Sequence, residues 1–295
     1  MAGKILITGA AGTVGRQLVN ELVSRGFKVR AAVYSIESAG FIQHESVEVV
    51  RFDFNDPSTF EDAMREIDAV YLISPEVSNQ LAMMKDFIDA AGWAGVHLIR
   101  QSTFGAENRE IQFARWHREV EEYIQNKGIS YTFLRPNTYM QSFLVDFIPV
   151  GGVIYLPMGH GEVSYVDVRD IALTAAQIIA QGEEHKGREY TLTGPKAVAV
   201  AEVAEAMSVA TGMHISYVDI PDETARHALE TAGTPGWLVD ALLELYGRSR
   251  DNYASGVSDH IQTLTNRPPR DIGEFARDYA EEIQRLTMQE HPQNV

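Results

Sequence analysis

The stretch Ile7–Gly15, ITGAAGTVG, decides the fold. It follows the apolar run KILIT and precedes an amphipathic run with apolar residues at helical spacing. Glycines at positions 9, 12 and 15 would allow a tight exit from the strand, close approach of a diphosphate and close packing of the helix on the sheet. Such turns also occur for packing alone, but the position between strand and helix favours a nucleotide site.

Outward from this stretch, short β-branched runs alternate with helical stretches. The runs are FKVRAAVY, VEVVRFDF, AVYLIS, VHLIRQS and SYTFLRP. Strands separated by helices at this spacing predict parallel βαβ units with right-handed crossovers. We therefore expect an α/β protein with a Rossmann-type doubly wound parallel sheet and a smaller C-terminal α/β substrate lobe.

The alternation breaks after Leu134, where glycine and proline begin to mark turns. A helical run and the strand-and-turn segment GREYTLTGP then return to the main sheet. We predict a dinucleotide-binding Rossmann domain of residues 1–134 plus about 166–194. The substrate-binding lobe would comprise about 135–165 plus 195–295.

Composition limits the classes of function. The 295 residues include 25 Lys and Arg against 41 Asp and Glu, a net charge of −16, which works against binding to nucleic acid. No run approaches the roughly 20 apolar residues of a membrane span, the segment Met1–Leu6 is too short and polar for a signal peptide, and cysteine is lacking. We expect a cytoplasmic protein that acts on a small molecule and binds neither nucleic acid nor membrane, with a homodimer as the candidate assembly.

Several ordered motifs resemble the NmrA-like branch of the atypical short-chain dehydrogenases/reductases, which bind NAD(P). They are TGAAGTVG, VRFDFND, AVYLISP, HREVEEYI with GISYTFLRPNTYMQSF, VSYVDVRDIA and YTLTGPKAVAVAEVAEAMS, and they run from residue 5 to about 210. The segment NRPPRDIGEFARDYA resembles the usual ending of the family. The resemblance thus covers nearly the whole chain.

The resemblance implies where a dinucleotide lies. Asp53 and Phe54 would flank the adenine, the turn after the fourth strand would follow the ribose, and Pro136 would lie near the nicotinamide. For Asp53, a loop or helix-capping carboxylate is an open alternative. The full set of predicted cofactor-binding residues is Gly9, Ala11, Gly12, Thr13, Val14, Gly15, Tyr34, Ser35, Asp53, Phe54, Ile73, Ser74, Pro75, Ser102, His117, Pro136 and Asn137.

The end of the second strand bears on the choice of cofactor. A 2′-phosphate favours an arginine there, and the ribose diol of NAD favours an acid. This chain has Tyr34 and Ser35, so neither signature is present. Tyr34 either stacks on adenine or ends the strand as a surface aromatic. The resemblance alone favours NADP(H) slightly over NAD(H).

Most short-chain reductases protonate the product with a Tyr-x-x-x-Lys pair. Tyr123 and Lys127 have this spacing, but Gly128 and the strand ISYTFLRP follow at once. The pair therefore lies at the exit end of its helix, and we interpret it as a decoy.

His117 is one candidate catalytic residue. Aligning Glu121 with the glutamate of the extended members puts His117 at the lysine position and Phe113 at the tyrosine position, so the usual dyad is absent. His117 falls on the apolar stripe of its helix and should point inward. There it would be a proton donor near neutral pH or a ligand of the cofactor ribose, and a core histidine bonded to a backbone carbonyl is the alternative.

Ser102 is the second candidate catalytic residue, in a region where family members keep a hydroxyl facing the substrate. It could equally end the fifth strand. The segments around it and after LRPN would shape a substrate pocket, although the aromatic residues there could equally be core. The predicted substrate-binding residues are Thr103, Phe104, Tyr139, Met140 and Phe143.

The missing dyad constrains the reaction. Reduction of an isolated ketone creates a strongly basic alkoxide, whereas a quinone, iminium, azo group or activated alkene leaves a product with dispersed charge. We expect an NAD(P)H-dependent oxidoreductase that transfers hydride to such a conjugated or cationic acceptor. The alternative is a non-catalytic NAD(P)-sensing NmrA-like regulator; the histidines are scattered, so no metal site is expected.

Overall fold

The computed structural model describes residues 3–40 and 44–288, except for the side chain of Ser38, and the chain divides into two compact units. The first unit comprises residues 1–136, 168–191 and 263–266, and the second comprises 137–167, 192–262 and 267–295. The bounds of the two predicted Rossmann segments, 1–134 and about 166–194, differ by at most three residues from the first two stretches of the first unit. The sequence assigned 263–266 to the lobe, whereas they cluster with the first unit. Residues 289–295 of the predicted lobe lie outside the described residues.

The strands are β1 (Lys4–Ile7), β2 (Lys28–Val33), β3 (Val47–Arg51), β4 (Ala69–Leu72), β5 (His97–Gln101), β6 (Tyr131–Pro136), β7 (Val153–Leu156), β8 (Glu162–Val163), β9 (Arg188–Leu192), β10 (Val198–Ala199) and β11 (Ser216–Asp219). The helices are α1 (Thr13–Ser24), α2 (Phe60–Met64), α3 (Gln80–Ala94), α4 (Gln112–Asn126), α5 (Ser142–Val145), α6 (Val168–Gln181), α7 (Val200–Thr211), α8 (Asp222–Thr231), α9 (Gly236–Arg250), α10 (His260–Thr265), α11 (Ile272–Asp278) and α12 (Ala280–Thr287). Short 3-10 turns occupy Ile36–Ala39, Pro57–Thr59 and Gly182–His185.

The first unit contains a sheet whose strand order, among the described residues, is β3-β2-β1-β4-β5-β6-β9. β1 pairs in parallel with both β2 and β4, so that Ile5 lies opposite Val29 and Ala69. The pairs β2–β3, β4–β5 and β5–β6 are parallel too. Strand order reverses on either side of β1, which is the switch point where open α/β sheets bind ligands at the carboxyl ends of their strands. The predicted doubly wound sheet is confirmed.

Burial explains why these segments form this sheet. Leu6, Ile7, Val70 and Leu72 on the central strands are fully buried. Such β-branched and apolar runs suit strands covered on both faces. On one face the rings of Phe52, Phe54, Phe60 and Phe87 lie 4.8–5.7 Å apart between centroids. On α1, Val14, Leu18 and Leu22 are buried, and this helix packs against α6.

The second unit is a smaller α/β arrangement. β7 pairs in parallel with β11, and β8 pairs antiparallel with β10. Its core includes Phe143, Ile154, Tyr165, Met207 and Phe275. The apolar residues of the last two helices, α11 and α12, lie on either side of Tyr279, where the two helices are joined.

Within the described residues, no helix combines the length and the apolar character needed to cross a bilayer.

Candidate functional site

The glycine turn between β1 and α1 has the backbone geometry that the sequence predicts. Gly9 has φ +61°, a conformation that favours glycine, and its carbonyl accepts a hydrogen bond from the Gly12 N–H at 2.9 Å. A Cβ on Gly15 would overlap that carbonyl and approach Cα of Ala10 at 2.8 Å. A Cβ on Gly12 would lie 3.2 Å from the same carbonyl oxygen of Gly9. Gly15 therefore allows the close approach of helix and strand.

The amino end of α1 offers amides to an anion. Gly12 supplies no capping side chain, and Gly12 and Thr13 are exposed. The first turn, Thr13 to Gly15, carries no acidic residue. The first N–H groups of a helix lack intrahelical acceptors and form the positive end of the helix dipole. The cradle therefore fits the diphosphate of a dinucleotide. Ala11 contributes to its shape, since its carbonyl accepts from Nε of Arg16 at 2.8 Å.

Thr8 joins the glycine turn to the turn after β4. Its buried hydroxyl donates to the Ile73 carbonyl at 2.7 Å and accepts from the Ile73 N–H at 2.8 Å. Ser74 is partly buried and Pro75 is exposed. The sequence analysis did not single out Thr8, although a hydroxyl at the end of an apolar strand is a signal for such a clamp. The two turns that the resemblance assigns to the cofactor are thus fastened to each other.

On the predicted adenine side, Asp53 makes the loop contact that the sequence left open as its alternative role. Phe54 is buried in the aromatic cluster of the first unit. Oδ1 of Asp53 accepts a hydrogen bond from the Asn55 N–H at 2.9 Å, which is a loop-forming arrangement. Contact of either residue with adenine stays a prediction.

The end of β2 exposes an aromatic ring and a carboxylate. The Tyr34 side chain is 75% exposed, and stacking on adenine stays a prediction. The Ser35 hydroxyl hydrogen-bonds to Glu37, which holds the pKa of that carboxyl below its ordinary value. Sequence reasoning looked for an acid only at the strand end, and this one lies two residues beyond Ser35. A carboxylate here would suit a ribose diol and oppose a 2′-phosphate.

His117 is buried between a cation and an anion, with the residue 6% exposed. Its Nδ1 lies 3.2 Å from Nη2 of Arg100, and its Nε2 lies 3.5 Å from Oε1 of Glu76. Burial lowers the pKa of His117 and outweighs the opposing effect of the hydrogen bond to Glu76; the charge of Arg100 lowers it further. The structure thus places the imidazole inward, as predicted, and favours its neutral form.

Arg100 is the buried residue that links the elements around His117. Arg100 belongs to β5, and the residue is 1% exposed. Its Nη2 also donates to Oγ of Ser74 at 3.1 Å and to Oε1 of Gln80 at 3.4 Å. Nη1 donates to the Leu72 carbonyl at 3.3 Å. Sequence reasoning missed this residue. Its signal is a charged residue inside the otherwise apolar strand VHLIRQS, because buried charges require partners.

Ser102 is buried beside Glu121. Burial alone would raise the pKa of the Glu121 carboxyl, but the hydrogen bonds and charge of Arg135, with smaller effects of Ser102 and Arg118, together outweigh it and lower the pKa. Glu121 also accepts from Nη1 of Arg118 at 2.9 Å. These contacts of Glu121 stabilise the fold, and a catalytic role of Ser102 stays a prediction.

The literal Tyr-x-x-x-Lys pair serves helix packing. The Tyr123 hydroxyl donates to Oδ1 of Asp89 on α3 at 2.7 Å, and Nζ of Lys127 lies 3.0 Å from the same oxygen. Partial burial raises the pKa of Asp89, but these two groups and Lys85 outweigh it and lower the value to about 2. The pair thus ends α4 against α3.

The residues near the predicted nicotinamide divide between the two units. In the first, Thr103 and Phe104 are partly buried, and the Phe104 N–H donates to the Pro136 carbonyl at 2.9 Å. In the second, Nδ2 of Asn137 donates to Oγ of Ser164 and to the Ala254 carbonyl, both at 2.8 Å. The amide is thus engaged inside its own unit. Roles in binding cofactor or substrate stay predictions.

The predicted aromatic substrate residues lie in the second unit. Tyr139 is partly exposed, whereas Met140 and Phe143 belong to the core. The Phe143 ring packs against Tyr165 at 5.2 Å and Phe147 at 5.4 Å between centroids. This is the core arrangement that the sequence left open, and substrate contact stays a prediction.

Across residues 3–40 and 44–288, no three His, Asp or Glu side chains are grouped as a metal site.

Known proteins place the chain in a family. The model of the NmrA-like family matches residues 1–276. The NAD(P)H azoreductase of Xenophilus azovorans is 35% identical over 280 residues, which cover 94% of this chain and 98% of the relative. Two solved structures are similar in fold. The NADPH complex of the quinone oxidoreductase of Escherichia coli has a TM-score of 0.83 at 25% identity and covers 93% of this chain and 99% of that one. The NADP(H) complex of the triphenylmethane reductase of Citrobacter sp. has a TM-score of 0.81 at 26% identity and covers 94% and 99%. The chain belongs to the NmrA-like family, as its motifs predict.

Proposed function

We propose that this protein is an NAD(P)H-dependent oxidoreductase that reduces a conjugated small organic acceptor of the quinone or azo type. The observation that carries the proposal is the amino end of α1, which has no side-chain cap, is exposed at Gly12 and Thr13, and turns the amides of its first turn toward a diphosphate site that the glycines keep open. The 35% identity to an azoreductase over nearly the full length supports the same reaction class.

The cofactor of this proposal is NADP(H), with a slight preference over NAD(H). The NADPH-bound quinone oxidoreductase and the NADP(H)-bound triphenylmethane reductase support it. When bound, the reduced nicotinamide supplies the hydride. The glycine turn would hold the diphosphate, and the turn after β4, fastened by Thr8 and Arg100, would follow the ribose.

The choice of acceptor follows from what the chain lacks at the dyad positions. Phe113 stands at the tyrosine position and packs edge-on against Trp116 at 5.6 Å between centroids. A phenyl ring cannot donate a proton, so an isolated ketone would leave an alkoxide without an acid beside it. A quinone or azo compound disperses the new charge and can take its proton from water. His117 and Ser102 remain the candidate catalytic residues.

Rapid mixing of enzyme and reduced cofactor with a panel of acceptors tests the proposal. The panel contains a quinone, an azo dye, a cationic triarylmethane dye and, as the control, a simple ketone. We expect oxidation of the cofactor by at least one conjugated acceptor and not by the ketone. No oxidation by any of them, with the protein folded, would contradict the proposal.

A matched pair of variants ties activity to the glycine turn. Gly12→Asp places a carboxylate where the diphosphate would lie, and we expect it to abolish both cofactor binding and turnover. Gly236→Asp adds the same charge at another exposed helix start, where a Cβ meets no atom within 4 Å, and should leave both intact. Cofactor binding without turnover in the wild type would instead favour the NAD(P)-sensing regulator.

A cytoplasmic location and a homodimer belong to the same proposal. The strongly negative charge supports a small-molecule partner rather than nucleic acid. Light scattering coupled to size exclusion tests the dimer.

A further inference from the structure

The pairing of Arg100 with His117 restricts where the imidazole carries its proton. An arginine guanidinium has five N–H donors and no acceptor, and it stays charged in proteins. Nη2 lies 3.2 Å from Nδ1 of His117, so the hydrogen bond requires Nδ1 to accept. In the neutral ring the proton must then reside on Nε2.

The charged ring is disfavoured by the same contact. A protonated imidazole would turn an N–H toward the Arg100 N–H, so that two donors and two positive charges would meet within 3.2 Å. Neither group can move toward solvent easily, since Arg100 is 1% exposed and His117 6%. Burial also favours the neutral ring.

Two carboxylates act on the ring from other directions. Glu76, in the turn after β4, lies 3.5 Å from Nε2, and its side chain is 50% exposed. It accepts a hydrogen bond from the Nε2–H, so it stabilises the same tautomer that Arg100 selects. Glu121, one turn further along α4, favours the charged ring, but its oxygens are already bonded to Arg135.

We propose that Arg100 is a positioning residue that holds His117 as the neutral tautomer protonated at Nε2. His117 then presents a fixed hydrogen-bond donor beside the turn after β4 and does not cycle a proton. The same nitrogen of Arg100 binds Ser74, so the donor and that turn are held in register. Use of this N–H toward a bound ribose or acceptor rests on the proposed function and requires the half-exposed Glu76 carboxylate to move aside, whereas the tautomer depends on neither.

A proton retained on Nε2 of His117 constrains the proposed reaction. If His117 keeps its proton, the acceptor must be protonated by water or another group after hydride arrives. A quinone tolerates this, because its reduced anion is a phenolate and a far weaker base than an alkoxide, and a cationic acceptor becomes neutral when it takes up hydride. The buried Arg100 keeps the proton on His117, and an acceptor that does not need this proton suits such a site.

Nitrogen NMR of histidine-labelled protein without cofactor tests the tautomer directly. The His117 signals are assigned from the spectrum of His117→Gln, which lacks them. We expect an unprotonated Nδ1 and a protonated Nε2 from about pH 8 down to about pH 5.5, across the ordinary histidine range. A protonated Nδ1, or a ring that titrates in this window, would overturn the proposal.

Two variants separate the role of the arginine from that of the carboxylate. Arg100→Met removes the guanidinium N–H that bonds to Nδ1 of His117. We expect a mixture of tautomers or a ring that now titrates. Glu76→Gln keeps Arg100, and the Nε2–H tautomer should persist. A tautomer that follows Glu76 rather than Arg100 would sink the idea. If Arg100→Met does not fold, the wild-type spectrum and Glu76→Gln still decide.

These measurements do not depend on turnover. A protein that reduces no acceptor still reports its tautomer, so failure of the proposed function and failure of this inference are distinguishable.

Discussion

Both carboxylate oxygens of Glu121 accept hydrogen bonds from Arg135, at 2.9 Å from Nε and 2.7 Å from Nη2. The two side chains are 5% exposed or less, so α4 and β6 are joined through a buried ion pair. Removal of Arg135 takes two hydrogen bonds from the buried Glu121 carboxylate and leaves the partly exposed Arg118 to compensate its charge, which is far more costly than the loss of a surface pair.

Arg135→Met should therefore lower the free energy of unfolding by about 3–5 kcal/mol. Urea denaturation measures it. The matched control is Arg65→Met, which breaks an exposed pair with Asp62 and should cost under about 1 kcal/mol. Adding Glu121→Leu to Arg135→Met should recover part of the loss, because the stranded charge is gone. Equal costs for the two arginines would contradict the assignment.

Two of the three glycines of the turn, Gly15 and Gly12, should separate folding from binding. Gly15→Ala puts a Cβ onto the Gly9 carbonyl and should destabilise the protein, by about 1–3 kcal/mol for overpacking. Gly12→Ala meets that carbonyl at 3.2 Å and projects from an exposed position, so the fold should persist while dinucleotide affinity falls. Thermal unfolding and calorimetric titration measure the two effects. Undiminished affinity in Gly12→Ala would speak against the diphosphate cradle.

Glu37 should oppose binding of the 2′-phosphate. Glu37→Gln removes a carboxylate bonded to Ser35 at the end of β2, so affinity for NADPH should rise several-fold more than affinity for NADH. Titration with both nucleotides gives the ratio of dissociation constants. Glu61→Gln removes the same charge from an exposed position on α2 and should leave the ratio unchanged. A ratio that stays constant in both variants would place Glu37 away from the ribose.

His97 should make the first unit sensitive to acid. Its ring bonds to Oγ of Ser130 at 2.8 Å and Oγ1 of Thr132 at 3.0 Å, and burial lowers its pKa to about 4, with the charge of Lys186 adding to the effect. The unfolded chain, with a histidine pKa of about 6.5, binds the proton more readily in the window between the two values. Stability is therefore present above about pH 6.5 and is lost as the pH falls toward 4.

The loss that this histidine contributes should reach about 2 kcal/mol between pH 7 and about pH 5. Urea unfolding at the two pH values should show a smaller loss in His97→Gln than in the wild type. His227→Gln, at an exposed position on α8, should match the wild type. Parallel losses in all three proteins would show that His97 already binds a proton freely in the fold.

The sequence was sufficient for the sheet and the glycine turn. Their signals are local: β-branched runs such as KILIT and SYTFLRP fill strands that are buried on both faces, and Gly9 takes a conformation that other residues avoid. The family assignment followed from the order of the motifs and is confirmed by the match over residues 1–276. The reaction class is supported by the reductase relatives.

The partners of the candidate site were beyond reach of the sequence. Arg100 lies 17 positions from His117 and 26 from Ser74, and only the pairing of β4 with β5 and the packing of α4 bring these groups together. Whether Met140 and Phe143 lie in the core was left open for a similar reason, and the burial of Phe54 was not predicted. A run of aromatic residues has the same sequence pattern whether it faces a ligand or a core, so its surroundings are decided by tertiary packing.

The first unit takes its residues from three separated stretches of chain, and α1 rests on α6, which begins at Val168. During translation, the apolar side of α1 must wait for a partner that is made after residues 137–167 of the other unit have already emerged. Domains commonly fold from the amino end as they leave the ribosome. Here the nucleotide-binding unit cannot be completed until residues 263–266 have been added, after roughly nine tenths of the polypeptide has been synthesised, so its core stays unfinished for most of translation.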